Sequence, residues 1–176
     1  PTESPSDSAL RDILPFRNLA GPRYVFVDGH FAPELSRLGD AVRGVTIESL
    51  SQALEHNDPR LEAHLNRYAA TQDNAPAALN AAYGSDGLFV HLDRGRTMPH
   101  PVHVVFVASK SEPGTASHSR NLILAEADSR LTIVESYLRL NDGAYVTNAV
   151  NEFAVGDQAA VEHIKLQDES PEAFHL

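Results

Sequence analysis

The chain has 176 residues and a formal net charge of −10 at pH 7, from 24 Asp and Glu against 14 Lys and Arg. A nucleic-acid-binding surface needs clustered Lys and Arg, and because no run of them occurs, the sequence predicts no nucleic acid partner. The chain has no cysteine, which excludes disulfides, thiolate nucleophiles and cysteine ligands to a metal cluster.

About the first 20 residues are predicted to form a tail. Residues 1–7 are polar and have neither the basic nor the apolar region of a signal peptide. No apolar stretch approaches the roughly 18 residues that a membrane helix needs. We therefore expect a cytoplasmic protein without a membrane partner. Because the sequence does not begin with methionine, we expect a processed chain or a piece of a longer one.

A β-hairpin is predicted directly after this tail. Residues 23–27 form an apolar strand that Asp28-Gly29 closes, and Asp-Gly is a strong hairpin signal because glycine tolerates positive φ. The second strand, residues 30–32, ends at Pro33. Residues 45–47 are a further β fragment, and the region from residue 34 to residue 85 is otherwise largely helical.

Three short helices are predicted in that region, and the last of them, which contains residues 80–83, ends at Gly84. Residues 51–56 form the first, with Ser49 or Ser51 as its N-cap. Asp58 is the N-cap of the second, and it is followed by proline at the first helical position, where the missing N–H costs nothing. One apolar face of this second helix is formed by Leu61, Leu65 and Tyr68.

From residue 87 onward the pattern predicts β-strands throughout. Short runs rich in Val, Ile, Leu and Phe occupy residues 88–92, 102–108, 122–125, 131–138, 145–155 and 160–166. No interval between them holds an amphipathic helix, so helix-crossed parallel sheets are excluded for this half. The sequence predicts turns at Asp28-Gly29, Asp86-Gly87 and Asp142-Gly143.

A weak internal repeat helps to choose among β architectures. Residues 122–125, a turn and residues 131–134 are followed about 30 residues later by residues 153–155, a turn and residues 161–164. Repetition at this period is typical of a solenoid, in which each coil buries its apolar face on the next. A sandwich or a barrel explains the same strands about as well.

Two of the nine histidines, His100 and His103, lie three positions apart and suggest a metal site. Pro101 between them prevents a regular helix that presents both side chains, and on a strand this spacing places them on opposite faces. We therefore predict two loop histidines here and no metal ligands.

Glu135 and the pair Glu162-His163 lie on predicted strands and can meet across neighbouring coils. A histidine beside a carboxylate acts as a base or a metal ligand in some sites, but such pairs also form for structural reasons. No phosphate-binding glycine loop, nucleophile elbow or paired-carboxylate motif occurs. The sequence therefore predicts no catalytic, cofactor-binding or metal-binding residue, and a protein that is not an enzyme.

Five blocks of the sequence, in the same order, resemble the SufB/SufD family of iron–sulfur cluster assembly proteins, and its SufD members most closely. The first is a strand–turn–strand block, YVFVDGHFAPELS, and the third is ALNAAYGSDGLFVH. Together the blocks span roughly residues 23–175. They lie at residues 24–36, 44–54, 78–91, 120–137 and 148–169.

This resemblance implies a core that is a right-handed parallel β-helix, which favours the solenoid over the sandwich. The predicted fold is mainly β with a mixed α/β N-terminal part. Two regions are predicted, a mixed hairpin and short-helix region at residues 1–85 and the initial coils of the β-helix at residues 86–176.

The resemblance also implies a non-catalytic scaffold role. In this family SufD pairs with SufB, and both bind the ABC-type ATPase SufC in a complex that builds iron–sulfur clusters. The expected partners are therefore SufB-like and SufC-like proteins. The family's ATPase-contacting helices and cluster-related Cys and His positions come later in its chains. The resemblance thus assigns no cofactor to this segment, and an iron–sulfur cluster or iron belongs only to the full assembly complex.

A β-helix that stops after its first coils exposes an unpaired strand edge, which invites pairing with another chain. We expect either self-association through the C-terminal coil or a disordered or rearranged end after about Gln167.

The alternative function is that of a carbohydrate-binding or small-ligand-binding β-helix domain. Enzymes of that shape that act on polysaccharides need charged residues clustered on one exposed face. In this sequence the acidic residues are scattered and mostly occupy predicted turns: Glu126, Asp128, Glu135, Asp142, Glu152 and Asp157.

Overall fold

The described part of the chain is residues 5–84, 86–109 and 114–176 of a computed structural model, and its regular elements are ten strands, four α-helices and one short 3₁₀-helix, Pro33–Leu35. The helices are α1 (Asp7–Ile13), α2 (Leu50–Glu55), α3 (Pro59–His64) and α4 (Ala75–Tyr83). The strands are β1 (Arg23–Val27), β2 (His30–Phe31), β3 (Val45–Ser49), β4 (Leu88–Leu92), β5 (Val102–Ala108), β6 (Thr115–Ala125), β7 (Arg130–Arg139), β8 (Tyr145–Val155), β9 (Ala160–Asp168) and β10 (Phe174–His175).

The strands form two mixed five-stranded sheets. Sheet A has the order β2-β1-β5-β7-β9, and sheet B has the order β10-β8-β6-β4-β3. All neighbours are parallel except the pairs β1–β2 and β3–β4. From β5 onward each strand lies in the opposite sheet from the strand before it. The prediction of a mainly β chain is confirmed, and both sheets have open edges, so the described strands do not form a closed barrel.

The register of these sheets explains the internal repeat. Ile123 of β6 pairs with Phe153 of β8, and Ile133 of β7 pairs with His163 of β9. Both partners lie 30 positions further along the chain, which is the spacing seen in the sequence. Repeated apolar segments therefore occupy neighbouring strands of the same sheet.

Aromatic rings from three strands of sheet A stack in the core between the sheets. Phe26 lies beside Phe106 with ring centroids 5.2 Å apart, and Phe106 lies 5.0 Å from Tyr137. The three residues occupy paired positions on β1, β5 and β7. Valine and isoleucine side chains of sheet B, including Val90 and Ile123, complete this core.

Helix α1 covers the outer face of sheet A. Leu10 and Leu14 are buried against Val25 and Val105. The prediction of a tail is therefore wrong for this segment. Its few apolar residues pack on strands of sheet A that lie far away in the sequence, which the local pattern does not reveal. Helices α2 and α3 cover sheet B in the same way, with Leu50 and Leu61 among the buried residues.

The predicted hairpin and helix caps are confirmed. Asp28 and Gly29 both have positive φ, 49° and 85°, as the tight turn of a twisted hairpin requires. The Ser49 hydroxyl accepts the Gln52 N–H at 3.2 Å at the start of α2. Asp58 caps α3. The predicted apolar face is shorter than expected, because α3 ends at His64.

Each sheet contains strands from both predicted regions, since β1 lies beside β5 in sheet A and β3 lies beside β4 in sheet B. The division at residue 85 itself remains a prediction. Regular structure continues after Gln167, where β10 adds to sheet B in parallel with β8. The longest helix among the described residues, α4, has nine residues, and no described helix has the length and apolar character needed to cross a bilayer.

Candidate functional site

The structure brings Glu135 and His163 together on adjacent strands of sheet A. His163 Nε2 donates to Glu135 Oε2 at 2.6 Å, and Glu135 is fully buried. Glu162, one position away, accepts from Thr132 at 3.2 Å instead. The expected meeting of Glu135 with His163 is therefore confirmed, and Glu162 is not part of it, since successive residues of a strand point to opposite faces.

Three further residues that the sequence analysis missed complete this cluster. Asn151 Nδ2 lies 3.2 Å from both Glu135 oxygens, and the Tyr137 hydroxyl donates to Oε1 at 2.5 Å. Asn121 Nδ2 donates to the Asn151 side-chain oxygen at 2.7 Å. Asn121 and Asn151 are paired on β6 and β8. Asn121 and Asn151 are 30 positions apart, so a search for polar residues that follow the 30-residue repeat would have found this pair.

This environment favours the ionised form of Glu135. Burial opposes ionisation, but the hydrogen bonds from His163 and Tyr137 outweigh it and lower the pKa of Glu135. Burial and the neighbouring carboxylate raise the pKa of Tyr137, so its hydroxyl remains a donor. The carboxylate therefore already has several donors within the protein, and the cluster joins strands of both sheets.

We expect Glu135→Gln to lower the free energy of unfolding by about 2 kcal/mol at pH 7, because a buried acceptor of charge-assisted hydrogen bonds is lost. An unfolded glutamate titrates near about pH 4.3. Since the folded pKa is lower, the stabilisation is present above that pH and is lost as the pH falls through the folded pKa. Urea unfolding of both proteins at pH 7, 5 and 3.5 should therefore show curves that converge in acid.

Glu162→Gln is the matched control for this experiment. Glu162 is exposed on the neighbouring strand, and its replacement should change stability by less than about 0.5 kcal/mol at each pH. A difference between wild type and Glu135→Gln that stays constant from pH 7 to pH 3.5 would contradict the assigned ionisation.

A second buried carboxylate, Asp86, lies where the hairpin, α2 and sheet B meet. It accepts the N–H groups of Phe31 at 3.1 Å and Ser51 at 3.0 Å, and the Ser51 hydroxyl at 3.0 Å. The predicted turn at Asp86-Gly87 is wrong, because Asp86 instead forms a β-bridge with Ser119. A buried carboxylate needs several donors, and here two separate segments, the hairpin and α2, supply three of them.

A third carboxylate, Glu152, fastens the loop after α3 to sheet B. Its oxygens accept the backbone N–H groups of Asn66, Arg67 and Tyr68 at 2.9–3.1 Å. Arg120 Nε donates to the same carboxylate at 2.6 Å, and both side chains are almost completely buried. This carboxylate therefore serves as an anchor for the helical layer.

One group among the described residues has the composition of a metal site, His91 with Asp93 and Glu126. The His91 Nε2 atom lies 3.0 Å from Glu126, and its Nδ1 atom lies 2.5 Å from the Arg60 guanidinium. Both ring nitrogens are thus engaged, and a permanent cation stands beside the group. A metal ion would have to displace Arg60, so the arrangement favours an ion-pair network.

Arg60, His91 and Glu126 also line a surface groove of about 570 Å³. Its lining includes Leu124 and Phe153, and its charged groups are already engaged: Arg60 pairs with Asp58 outside the groove, and Glu126 pairs with His91. The Arg60 hydrogen bond is the main reason that the pKa of Asp58 is lowered to about 2.

The two histidines of the predicted loop are placed differently from each other. His100 is exposed, but His103 lies on β5, is 2% exposed, and its Nε2 atom lies 2.9 Å from the Ser136 hydroxyl. The strand predicted at residues 102–108 is confirmed, and the interpretation of His103 as a loop histidine is therefore wrong. Burial, together with the charges of Arg23 and Arg37, lowers its pKa to about 4, so the ring is neutral near pH 7.

The acidic residues considered for a carbohydrate site do not share one exposed face. Glu135 and Glu152 are buried, with 0% and 1% of their surface exposed. Asp142 is exposed and pairs with Arg139 at 2.6 Å. Most carboxylates of this set therefore already have hydrogen-bond or ion-pair partners within the protein.

Comparison with known families gives two matches that cover nearly the whole chain. A model described as the SufBD protein N-terminal region matches residues 16–104. A second model, described as SUF system FeS cluster assembly, SufBD core domain, matches residues 106–176.

Curated proteins give a consistent result. An iron–sulfur cluster assembly SufBD family protein of Synechocystis is 28% identical over 163 residues, which are 88% of this chain and 36% of that protein. The iron–sulfur cluster assembly protein SufD of Escherichia coli is 30% identical over 169 residues, which are 94% of this chain and 37% of that protein. SufD of Bacillus subtilis is 30% identical over 113 residues, or 64% of this chain and 25% of that protein. The chain thus spans little more than a third of the length of the first two relatives.

Proposed function

The chain belongs to the SufBD family of the SUF iron–sulfur cluster assembly system, and from this premise we propose that it is part of a non-catalytic scaffold. The scaffold acts in the cytoplasm through a complex with a SufB-like subunit and a SufC-like ABC ATPase. Relatives that are themselves called iron–sulfur cluster assembly proteins support this role.

The arrangement of strands supports a β-helical scaffold. From β4 to β10 the chain alternates between two sheets, and from β6 onward each strand adds beside the strand two before it. We assign this part to the first coils of a right-handed parallel β-helix, since nearly all parallel crossovers have that hand. Stacked coils of this kind form a rigid, elongated surface to which other subunits can bind.

The main support for a scaffold role is that the buried polar groups bind other segments of the same chain. Glu135 links β6, β7, β8 and β9 through its partners, and Glu152 ties the helical layer to sheet B. These groups hold neighbouring segments together, which is what a scaffold requires. Iron or an iron–sulfur cluster is in this proposal a cargo of the complete assembly, and the 176 residues themselves contain no cysteine to bind it.

The test is copurification. A full-length protein that contains this chain, expressed with SufB-like and SufC-like proteins of the same organism, should retain both through affinity and size-exclusion chromatography. An unrelated β-protein with the same tag serves as the control. Retention of neither partner would overturn the assignment.

We also propose that the exposed edges of β9 and β10 allow the 176-residue chain to self-associate when they have no partner. Ile164 on β9 and Phe174 on β10 are 44% and 68% exposed. Light scattering over a concentration series should show a mass above that of one chain. A constant mass of 19.1 kDa would contradict the proposal.

A further inference from the structure

Helix α4 is held on sheet B mainly by hydrogen bonds. Of its nine side chains only Ala77 and Asn80 are buried, whereas Tyr83 is 68% exposed. Asn80 Nδ2 donates to the backbone oxygens of Ser119 on β6, at 2.7 Å, and of Asn148 on β8, at 2.9 Å. A single buried alanine methyl group contributes little through the hydrophobic effect, so the polar contacts decide whether α4 stays on the sheet.

The side chain of Asn148 makes a further connection, and this one includes a histidine. Its Nδ2 atom donates to the backbone oxygen of Pro76 in α4 at 2.8 Å and lies 3.1 Å from Nδ1 of His118 on β6. Asn148 is only 1% exposed, so solvent has little access to either contact. The Tyr83 ring of α4 lies beside the His118 ring, with centroids 5.9 Å apart. One asparagine side chain thus joins α4, β6 and β8.

The Pro76 carbonyl determines which atoms donate in this group. A carbonyl oxygen only accepts, so the atom of Asn148 that faces it must be the NH₂ nitrogen. The second hydrogen of that nitrogen is donated to Nδ1 of His118. This nitrogen must therefore accept, which requires a neutral ring with its proton on Nε2. A protonated ring would present an N–H group to the NH₂ group, and the hydrogen bond would be lost.

The charged groups of the described elements around His118 are paired with other residues. Helix α4 has no charged side chain, and Tyr83 is its only titratable residue. Arg120, two positions along β6, is paired with Glu152 of β8 at 2.6 Å. Asp86, which forms a bridge to β6, accepts hydrogen bonds from the hairpin and from α2. Burial lowers the pKa of His118, so the ring is neutral near pH 7.

We propose that His118 is a pH-sensitive switch for the attachment of α4: protonation of its ring breaks the hydrogen bond from Asn148 and releases the helix from sheet B. When α4 is detached, the ring is exposed to water and binds a proton more readily than it does under the helix. Release is therefore suppressed above about pH 6.5, where a free histidine is neutral, and increases as the pH falls below that value. This inference does not depend on the scaffold role.

Hydrogen–deuterium exchange of the whole chain tests this switch. The exchange rates of the α4 amides, each corrected for its intrinsic rate, should rise severalfold from about pH 7.5 to about pH 5. A single proton limits this rise to about tenfold for each pH unit. Amides of β1, within sheet A, report global unfolding and should respond less. An equal rise in α4 and β1 would show that the whole fold opens and would overturn the proposal.

Two variants isolate the contribution of the histidine. In His118→Asn the side-chain oxygen lies near the position of Nδ1 and accepts from Asn148, but it binds no proton in this pH range. The acid response of α4 should therefore disappear. His30→Asn is the matched control, because His30 is exposed on β2, and this variant should keep the full response. A full acid response in folded His118→Asn would refute the role of the imidazole.

Nitrogen NMR of the wild-type histidines provides a test that needs no substitution. The neutral His118 ring should carry its proton on Nε2, and the ring should titrate below about pH 6.5, the value for a free histidine. A proton on Nδ1 in the neutral ring, or a titration at or above that of a free histidine, would contradict the proposal.

Discussion

Replacing Arg120 with methionine is expected to lower the free energy of unfolding by about 3 kcal/mol, because it leaves a buried carboxylate without its cationic partner. Arg120 and Glu152 have only 4% and 0% of their side-chain surface exposed. Arg120 also donates to the Asn80 side chain of α4 at 2.9 Å. The substitution thus weakens the attachment of the helical layer as well as the ion pair, and urea unfolding at pH 7 measures the loss.

Two further variants identify the cause. Arg94 forms an exposed ion pair with Asp128 at 3.2 Å, so Arg94→Met should cost less than about 0.5 kcal/mol. The double variant Arg120→Met with Glu152→Gln removes both charges but keeps an oxygen for the loop amides. It should recover about 1 kcal/mol relative to Arg120→Met alone, since no unpaired charge then remains buried. A double variant that is less stable than Arg120→Met would show that the charge of Glu152 is not the cause.

Gly87→Ala is expected to destabilise the chain by about 3 kcal/mol, because the new methyl group has no room. A Cβ atom at Gly87 would lie 2.0 Å from the backbone oxygen of Arg120 and 2.9 Å from the Asn121 side chain. The nearest obstacle is backbone of β6, which cannot rotate away as a side chain can. Relief requires β4 and β6 to separate where the Leu88 N–H donates to Asn121 at 2.7 Å.

Gly95→Ala is the matched control for this clash. Gly95 has a φ of +71°, and a Cβ atom there would meet no atom within 4 Å. Its cost is therefore only that of a left-handed backbone conformation, about 1 kcal/mol. In thermal unfolding measured side by side, the melting temperature of Gly87→Ala should be well below that of Gly95→Ala. Equal melting temperatures would contradict the steric explanation.

Features decided by neighbouring residues were predictable. The turn at Asp28-Gly29 and the caps at Ser49 and Asp58 depend on backbone conformation and on hydrogen bonds over two or three positions. The strands could be located for a similar reason, since apolar runs between turn residues indicate buried strands. The 30-residue repeat was visible because residues 30 positions apart pair on neighbouring strands of the same sheet, where apolar residues are buried side by side.

Features that depend on distant partners were not predictable. Helix α1 is buried only because sheet A presents Val25 and Val105 to it. Asp86 and Gly87 have the composition of a turn, yet Asp86 lies against Ser119 and is enclosed by other segments. His103 lies within the strand predicted at residues 102–108, but its burial and its contact with Ser136 depend on β7, which lies beside that strand.

The sequence by itself thus determined the positions of most strands along the chain, the local caps, the repeat and the family of this protein. Only the tertiary structure decided which polar groups meet. Glu152 binds amides 84 to 86 positions away, and Glu135 draws its donors from strands of both sheets. Such partners are set by the order of strands within two packed sheets, and a buried charge is stable only where that order brings donors to it.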